Sequence, residues 1–423
     1  MNKFKAIHRF VGIIIAIFLL YLSITGLMIQ SIDLHMISTH APLTDPDILS
    51  ALENRGGGEY QVLSAADNTA QALPNNVDLN TMLQKVVQSA RSSLGDTPLR
   101  YVELRMVNGK LVGKVHANET IVSFDGQSGV MLGQEPVPPR VNVSPESSLR
   151  YQIKAYHRLT VFGTYSLFIN VIVGLGLIAM LGTGVTIYFK LKGERKRNGQ
   201  SGFFWVGGNG SISDWKRAMH RWVAITAAVF LLVVACSGLW LAYESLYFGF
   251  EMQNMAQRFK NSGPGGARPN GPGRNRTNPV EPLRDAQIPE MMRVTLDGEH
   301  KALHDDPIKV VRLRNFGNQA QGVVVAGEGY DTAQVVFDAA TGRPMSETEL
   351  SRPPAGIFTF PFGWDAHQTA KAVHRGSFFG LGARFLDYFA GLSLLYLCIN
   401  GIALYIEMWQ ERRGVGNKRF FWV

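Results

Sequence analysis

The chain has only two cysteines in 423 residues, Cys236 and Cys398, and both fall inside apolar runs. That excludes a disulfide framework of the kind that holds small secreted domains together, and a cysteine-rich metal cluster. Both thiols are read as small buried apolar side chains. Charge is also scarce: 18% of residues are charged beside 46% hydrophobic, where about a quarter is charged in an ordinary globular composition. A Gly-x-Gly-x-x-Gly fingerprint is missing, and Gly207-Gly208-Asn209-Gly210 does not match it, so the chain has no nicotinamide or flavin domain of its own. A basic stripe with interleaved aromatics is missing too. The net charge of +9 sits at the edges of apolar runs, and nucleic acid is not an expected partner.

What the chain does have is long hydrophobic runs. Phe10 to Ile29, Ser166 to Phe189, Val223 to Leu241 and Leu386 to Ile406 carry no formal charge apart from Asp387. Each holds roughly 20 residues, enough for a helix to cross a bilayer core of about 30 Å. The first run has the basic start of a signal peptide, but Ser31-Ile32-Asp33 offers no small-x-small cleavage site, and it is expected to stay as an anchor. Lys3, Lys5 and Arg9 flank the first run. Lys190, Lys192, Arg195, Lys196, Arg197, Lys216 and Arg217 lie between the second and third, and Arg412, Arg413, Lys418 and Arg419 follow the fourth. The positive-inside rule then places both termini in the cytoplasm and the two long segments outside.

The expected order is helix 1–32, outer domain 33–152, helix 153–190, inner loop 191–214, helix 215–248, outer domain 249–370, helix 371–409 and inner tail 410–423. Residues 261–282 are rich in Gly, Pro, Asn and Arg without apolar periodicity and are expected to be disordered. The second half repeats the first. His8-Arg9, Phe18-Leu19-Leu20 and Gly26-Leu27 align ungapped on His220-Arg221, Phe230-Leu231-Leu232 and Gly238-Leu239. His157-Arg158, Gly163, Gly184 and Phe203-Phe204-Trp205-Val206 align likewise on His374-Arg375, Gly380, Gly401 and Phe420-Phe421-Trp422-Val423. Parallel repeats of two crossings each imply a pseudo-twofold axis along the membrane normal. Strand-like alternation around Asp-x-x-Ser/Thr-Gly turns at Asp125 to Gly129 and Asp338 to Gly342, with a helix over Asp78 to Leu94, predicts small α+β outer domains. The fold class is therefore an α-helical membrane protein, a four-helix bundle of two tandem repeats bearing two such domains.

Four His-Arg pairs open the four apolar segments. The topology sorts them into two levels, His8 and His220 inside, His157 and His374 outside. Facing helices of a bundle can offer imidazoles to haem iron from both sides, so two bis-histidine sites would use all four. With no Cys-x-x-Cys-His in the chain, each would be haem b, and the chemistry would be electron transfer. A lone interfacial His is also just a polar residue at a polar boundary; the symmetric repetition argues for ligation. Arg9, Arg221, Arg158 and Arg375 suit haem propionates; the positive-inside rule accounts as well for Arg9 and Arg221 as interfacial cations, and less well for Arg158 and Arg375, which lie outside. Gly26 and Gly238 lie roughly 27 Å along the axis from His8 and His220, toward the outer level. Gly184 and Gly401 lie about 40 Å from His157 and His374, near the inner one. They would make room for a flat macrocycle or for ordinary helix packing. His35, His40, His116, His300, His304 and His367 lack the pattern and are read as surface residues, with His367 as the spare ligand. Arg150, Lys154, Lys371 and Arg384 lie outside, against the positive-inside trend, and are candidates for attracting an anionic substrate, or for contacting lipid headgroups.

These residues resemble the PepSY-associated transmembrane family: a His-Arg start, Thr25-Gly26-Leu27 or Ser237-Gly238-Leu239 near the end of a helix, a second His-Arg before a Gly-containing helix, and the Asp-x-x-Ser/Thr-Gly turns. Within it the chain is most similar to bacterial inner-membrane di-haem reductases of ferric siderophores. The resemblance implies an oxidoreductase with two haem b groups that passes electrons to a periplasmic ferric chelate, supplied by a quinol or a cytoplasmic reductase. A non-redox, membrane-anchored protein that binds peptides or regulates a protease is the competing expectation. A transporter ranks last, because the membrane centres carry almost no ionisable residue.

Overall fold

The computed structural model describes residues 2–39, 48–49, 52, 60–137, 149–199, 211–261, 281–304, 306–317, 319–352, 360–416 and 420. Most of the segment expected to be disordered, the Gly207 to Gly210 stretch, the Phe203 to Val206 motif, most of its counterpart at 420–423 and His40 lie outside these residues. The chain divides into two compact units, one of residues 1–35, 146–266 and 354–423, the other of residues 36–145 and 267–353.

The first unit is helical. Helix α1 spans Asn2–Ser38. In the second unit α2, Leu79–Leu94, is capped by Asp78, whose carboxylate accepts from the amides of Asn80 and Thr81. Back in the first unit, α3 covers Leu149–His157, α4 Leu167–Arg197 and α5 Ile212–Asn261. In the second, α6 is Ile288–Leu303 and α7 the short Glu347–Leu350. Helices α8, Trp364–His374, and α9, Gly380–Gly414, complete the first. Among the described residues four helical stretches are long and apolar enough to cross a membrane: Lys3–Ser38, Thr164–Arg197, Ile212–Asn254 and Ser377–Gly414. Their shared core holds Ile15, Leu19, Val173, Leu177, Ala235 and Cys398, while Ile17, Ile172, Val229 and Phe389 face outward. An apolar outer surface of that kind suits lipid rather than water. Cys398 is buried as expected; Cys236 is exposed on that outer surface.

One expectation about the spans is corrected. Two of the four His-Arg pairs do not open the membrane helices. His157 ends α3 and His374 ends α8, and the spans begin only after a break. Leu159 and Gly163 in the first break, and Gly376 and Gly380 in the second, take positive φ, which interrupts helical hydrogen bonding. With α4 starting at Leu167 and α9 at Gly380, Gly184 and Gly401 lie about 26 and 32 Å along their helices, shorter than a continuous helix from each His would give.

The second unit is built on one eight-stranded antiparallel sheet, not on two separate sheets. In chain order the strands are β1 Leu99–Val107, β2 Lys110–Ala117, β3 Thr120–Asp125, β4 Met131–Pro136, β5 Ile308–Phe316, β6 Gln319–Ala326, β7 Ala333–Asp338 and β8 Pro344–Met345. Their spatial order is β4-β3-β2-β1-β5-β6-β7-β8. The join is the β1/β5 ladder, with Val102 opposite Leu313 and Glu103 opposite Arg312. Strands β1, β2 and β3 have 9, 8 and 6 residues, as do β5, β6 and β7.

Period-two alternation sorts the side chains between two cores. On one face Leu83, Val86 and Ala90 of α2 and Met291 and Met292 of α6 pack on Val102, Leu104, Val115, Val311 and Leu313. On the other, Tyr60, Val62 and Leu350 cover Val310, Phe316, Val323, Val325 and Val336. Gly113 on β2 and Gly322 on β6 lie where Val86 and Thr295 press onto the sheet, so that a Cβ at either place would collide with them. The two Asp turns follow one plan. Asp125 Oδ1 accepts from the amides of Gln127 and Ser128, Asp338 Oδ1 from those of Ala340 and Thr341, and Gly129 and Gly342 close the turns with positive φ. His116, expected at the surface, is buried: its ring packs on Tyr101 and its Nε2 meets the Asn118 carbonyl at 3.0 Å.

Candidate functional site: four imidazoles at two levels

Each of the four helix-borne histidines meets one of the four glycines singled out from the sequence. A Cβ built on Gly26 would lie 3.4 Å from Cε1 of His157, and on Gly238 3.0 Å from Cε1 of His374. At the other level, Gly184 would come within 3.3 Å of His8 Cε1 and Gly401 within 3.6 Å of His220 Cε1. The space left by each missing side chain is therefore used by an imidazole edge, where the sequence had suggested a macrocycle. His157 thus meets α1, the helix that bears His8, and His374 meets α5, the helix that bears His220. Because His8 and Gly26 share α1, the two levels lie about 27 Å apart along that helix.

The residue before three of the four glycines completes the arrangement, and sequence reasoning passed over its role. Thr183 Oγ1 lies 3.0 Å from His8 Nδ1, Thr25 Oγ1 2.8 Å from His157 Nδ1, and Ser237 Oγ 3.1 Å from His374 Nδ1. Each hydroxyl donates its own hydrogen to the carbonyl four residues back, Thr183 to Ala179, Thr25 to Tyr21 and Ser237 to Val233. It is left to accept, so Nδ1 carries the proton and Nε2 the lone pair. Among the described residues no hydrogen bond reaches Nε2 of any of the four. Such rings are in the form that binds metal, with a second hydrogen bond fixing the tautomer. The signal was present in the sequence as Thr25-Gly26, Thr183-Gly184, Ser237-Gly238 and Asn400-Gly401.

The arginines are distributed less uniformly. Arg158 donates through Nη2 to Ser245 Oγ at 2.9 Å, Arg375 through Nε to Ser377 Oγ at 2.7 Å and Arg9 through Nε to the Lys5 carbonyl at 3.2 Å. Arg221 lies among Arg195, Arg217, Asp214 and Tyr188. Of the candidate substrate cations, Arg150 makes a paired contact with Asp33, Nε to Oδ1 at 2.5 Å and Nη2 to Oδ2 at 3.0 Å, and Arg384 approaches the same carboxylate at 3.7 Å. The two guanidiniums thus share one carboxylate. Lys154 and Lys371 lie one turn before His157 and His374 on α3 and α8. His367 is not aligned with the four. Its Nδ1 lies 2.6 Å from Glu244 Oε2, its ring stacks on Phe360, and Trp240 donates its indole N–H to the other oxygen of Glu244.

Among the described residues no three His, Cys, Asp or Glu side chains gather around a common point. The sequence profile of the PepSY-associated TM region matches residues 5–407. A search of curated proteins returns no match. With that profile covering nearly all of the chain and four helices long and apolar enough to cross a bilayer, this is a membrane protein and a member of the PepSY-associated TM family.

Proposed function

We propose that the chain carries electrons across the bacterial inner membrane through two bis-histidine haem b sites, His8 with His220 and His157 with His374, and reduces a ferric chelate, such as a ferric siderophore, in the periplasm. The observation that carries this reading is the fourfold one: four imidazoles seated against glycine at two levels, each with Nε2 unused among the described residues. Bound haem would supply iron that takes up and releases one electron at a time, and His8, His220, His157 and His374 are the residues that would hold it. The chain's own part is to hold the rings. Hydroxyls set the tautomer of His8, His157 and His374, glycines let all four rings approach the neighbouring backbone, and apolar side chains such as Leu19 and Leu177 keep water from the space between the levels.

Charge bias supports an orientation with both termini and the 191–214 loop in the cytoplasm, the His8/His220 level at the cytoplasmic side of the membrane and the two tandem halves of the sheet in the periplasm. Electrons enter at the inner level from a quinol or a cytoplasmic reductase and leave at the outer one. Each electron converts one Fe(III) chelate to Fe(II), which an oxygen-donor chelator holds less tightly. A quinol releases two electrons and two protons, and so serves two chelates.

The test is the visible spectrum of detergent-purified protein, oxidised and dithionite-reduced, with haem counted per chain. Two low-spin b-type haems, reduced by about half in His8→Ala or His374→Ala, support the reading and lead to ferric-siderophore reduction assays. Colourless protein from haem-replete cells overturns it and leaves a membrane-anchored binding module.

A further inference from the structure

Three of the four imidazoles are held in the same way, and the fourth is not. The place taken by Thr25, Thr183 and Ser237 opposite their histidines is taken opposite His220 by Asn400, the residue before Gly401. Asn400 does not hold the ring. Its Nδ2 donates to the carbonyl of Lys216 at 3.0 Å, one helical turn before His220 on α5. His220 Nδ1 is buried, and among the described residues it has no hydrogen-bond partner.

We propose that Thr25, Thr183 and Ser237 are positioning residues that lock His157, His8 and His374 as Nδ1–H tautomers for haem iron, and that His220 is the one axial ligand left free to turn. This rests on the haem reading above. Each hydroxyl's hydrogen is committed to a carbonyl of its own helix, so the oxygen offers its lone pair in a direction set by that helix. An imidazole that donates to it is fixed both in tautomer and in rotation about the Cβ–Cγ bond, and becomes a more basic ligand. His220 lacks all three effects. The His157/His374 site is then held at both rings and the His8/His220 site at one. The chain thus contains a tight and a loose site built from the same residue types.

Transfer of haem from the full-length, detergent-purified protein to excess apomyoglobin reads this directly. Wild-type protein carrying two haems is expected to lose them in two phases, and the fast phase is expected to persist in His374→Ala, which keeps only the His8/His220 site. Thr25→Val and Ser237→Ala should speed the slow phase by roughly 10- to 100-fold, the usual cost of removing a ligand's outer hydrogen bond. Thr183→Val should speed the fast phase, and Thr25→Ser should restore the wild-type slow phase. A single phase from wild type overturns the asymmetry. Thr25→Val and Ser237→Ala with unchanged rates, or Thr25→Ser as leaky as Thr25→Val, overturn the positioning role while the two-haem reading stands. A wild-type protein that binds no haem overturns the reading beneath it.

Discussion

Glu103 on β1 and Arg312 on β5 face each other across the join of the sheet, with Arg312 Nη2 2.6 Å from Glu103 Oε2. Arg105 closes on the other carboxylate oxygen at 2.7 Å. Glu103 is buried, so removing its carboxylate leaves two close guanidiniums without the charge between them. Glu103→Ala should cost the sheet unit about 3–5 kcal/mol, measured by thermal or urea unfolding in detergent. An unchanged midpoint would show that the ladder alone holds the join.

The same carboxylate gives a pH dependence with a definite sign. Burial works against its charge, yet Arg312 and Arg105 outweigh burial and hold Glu103 below the ordinary glutamate range. A depressed carboxylate contributes stability that is fully present above its unfolded pKa, about 4.3, and is lost as pH falls through the folded one. The sheet of wild-type protein should therefore weaken as pH drops below about 4.3, and Glu103→Gln should flatten that part of the curve. Parallel curves for the two proteins would remove Glu103 from the account.

Gly322→Ala places a methyl group against Thr295 on α6. Overpacking of this kind costs about 1–3 kcal/mol. Gly133→Ala on β4, where a Cβ meets nothing within 4 Å, should be close to neutral, and the two midpoints compared in one denaturant series check the pair.

Gly238→Val should lower haem content toward one per chain, because the first added carbon already lies 3.0 Å from His374 Cε1. Gly182→Val is the control, since nothing lies within 4 Å of a Cβ there. Equal haem content in both variants would mean that the glycine serves packing alone.

His367→Ala should keep the wild-type haem content and low-spin spectrum, because its Nδ1 is engaged with Glu244. A loss of half the haem would restore it as a ligand.

The crossings were legible because burying or exposing some twenty apolar residues leaves no other reading, and the α2 helix because Asp78 and apolar spacing mark its start and its face. The fourfold match of histidine to glycine was legible in part: the levels follow from the rise per residue, but not which atom fills the space. The breaks after His157 and His374 were missed because a glycine in an apolar run is compatible with a continuous membrane helix, and only its φ shows otherwise. The single sheet was missed because the β1/β5 ladder pairs residues some two hundred positions apart, and strand alternation carries no information on which edge finds which. His116 was misplaced because a lone histidine in a strand gives no sign of the Asn118 carbonyl that satisfies it.

The breaks at Gly163 and Gly376 divide the four rings in a mechanical sense. His8 and His220 ride on the long spans α1 and α5, whereas His157 and His374 end short helices that are not continuous with α4 and α9. A membrane helix answers a thicker or thinner bilayer by changing its tilt. When α4 and α9 tilt, the short helices need not follow, and His157 stays with Thr25 and the Tyr21 hydroxyl that donates to the Tyr156 carbonyl. His157 and His374 thus answer to the tilt of α1 and α5, through Thr25 and Ser237, rather than to that of the spans that follow them in the chain.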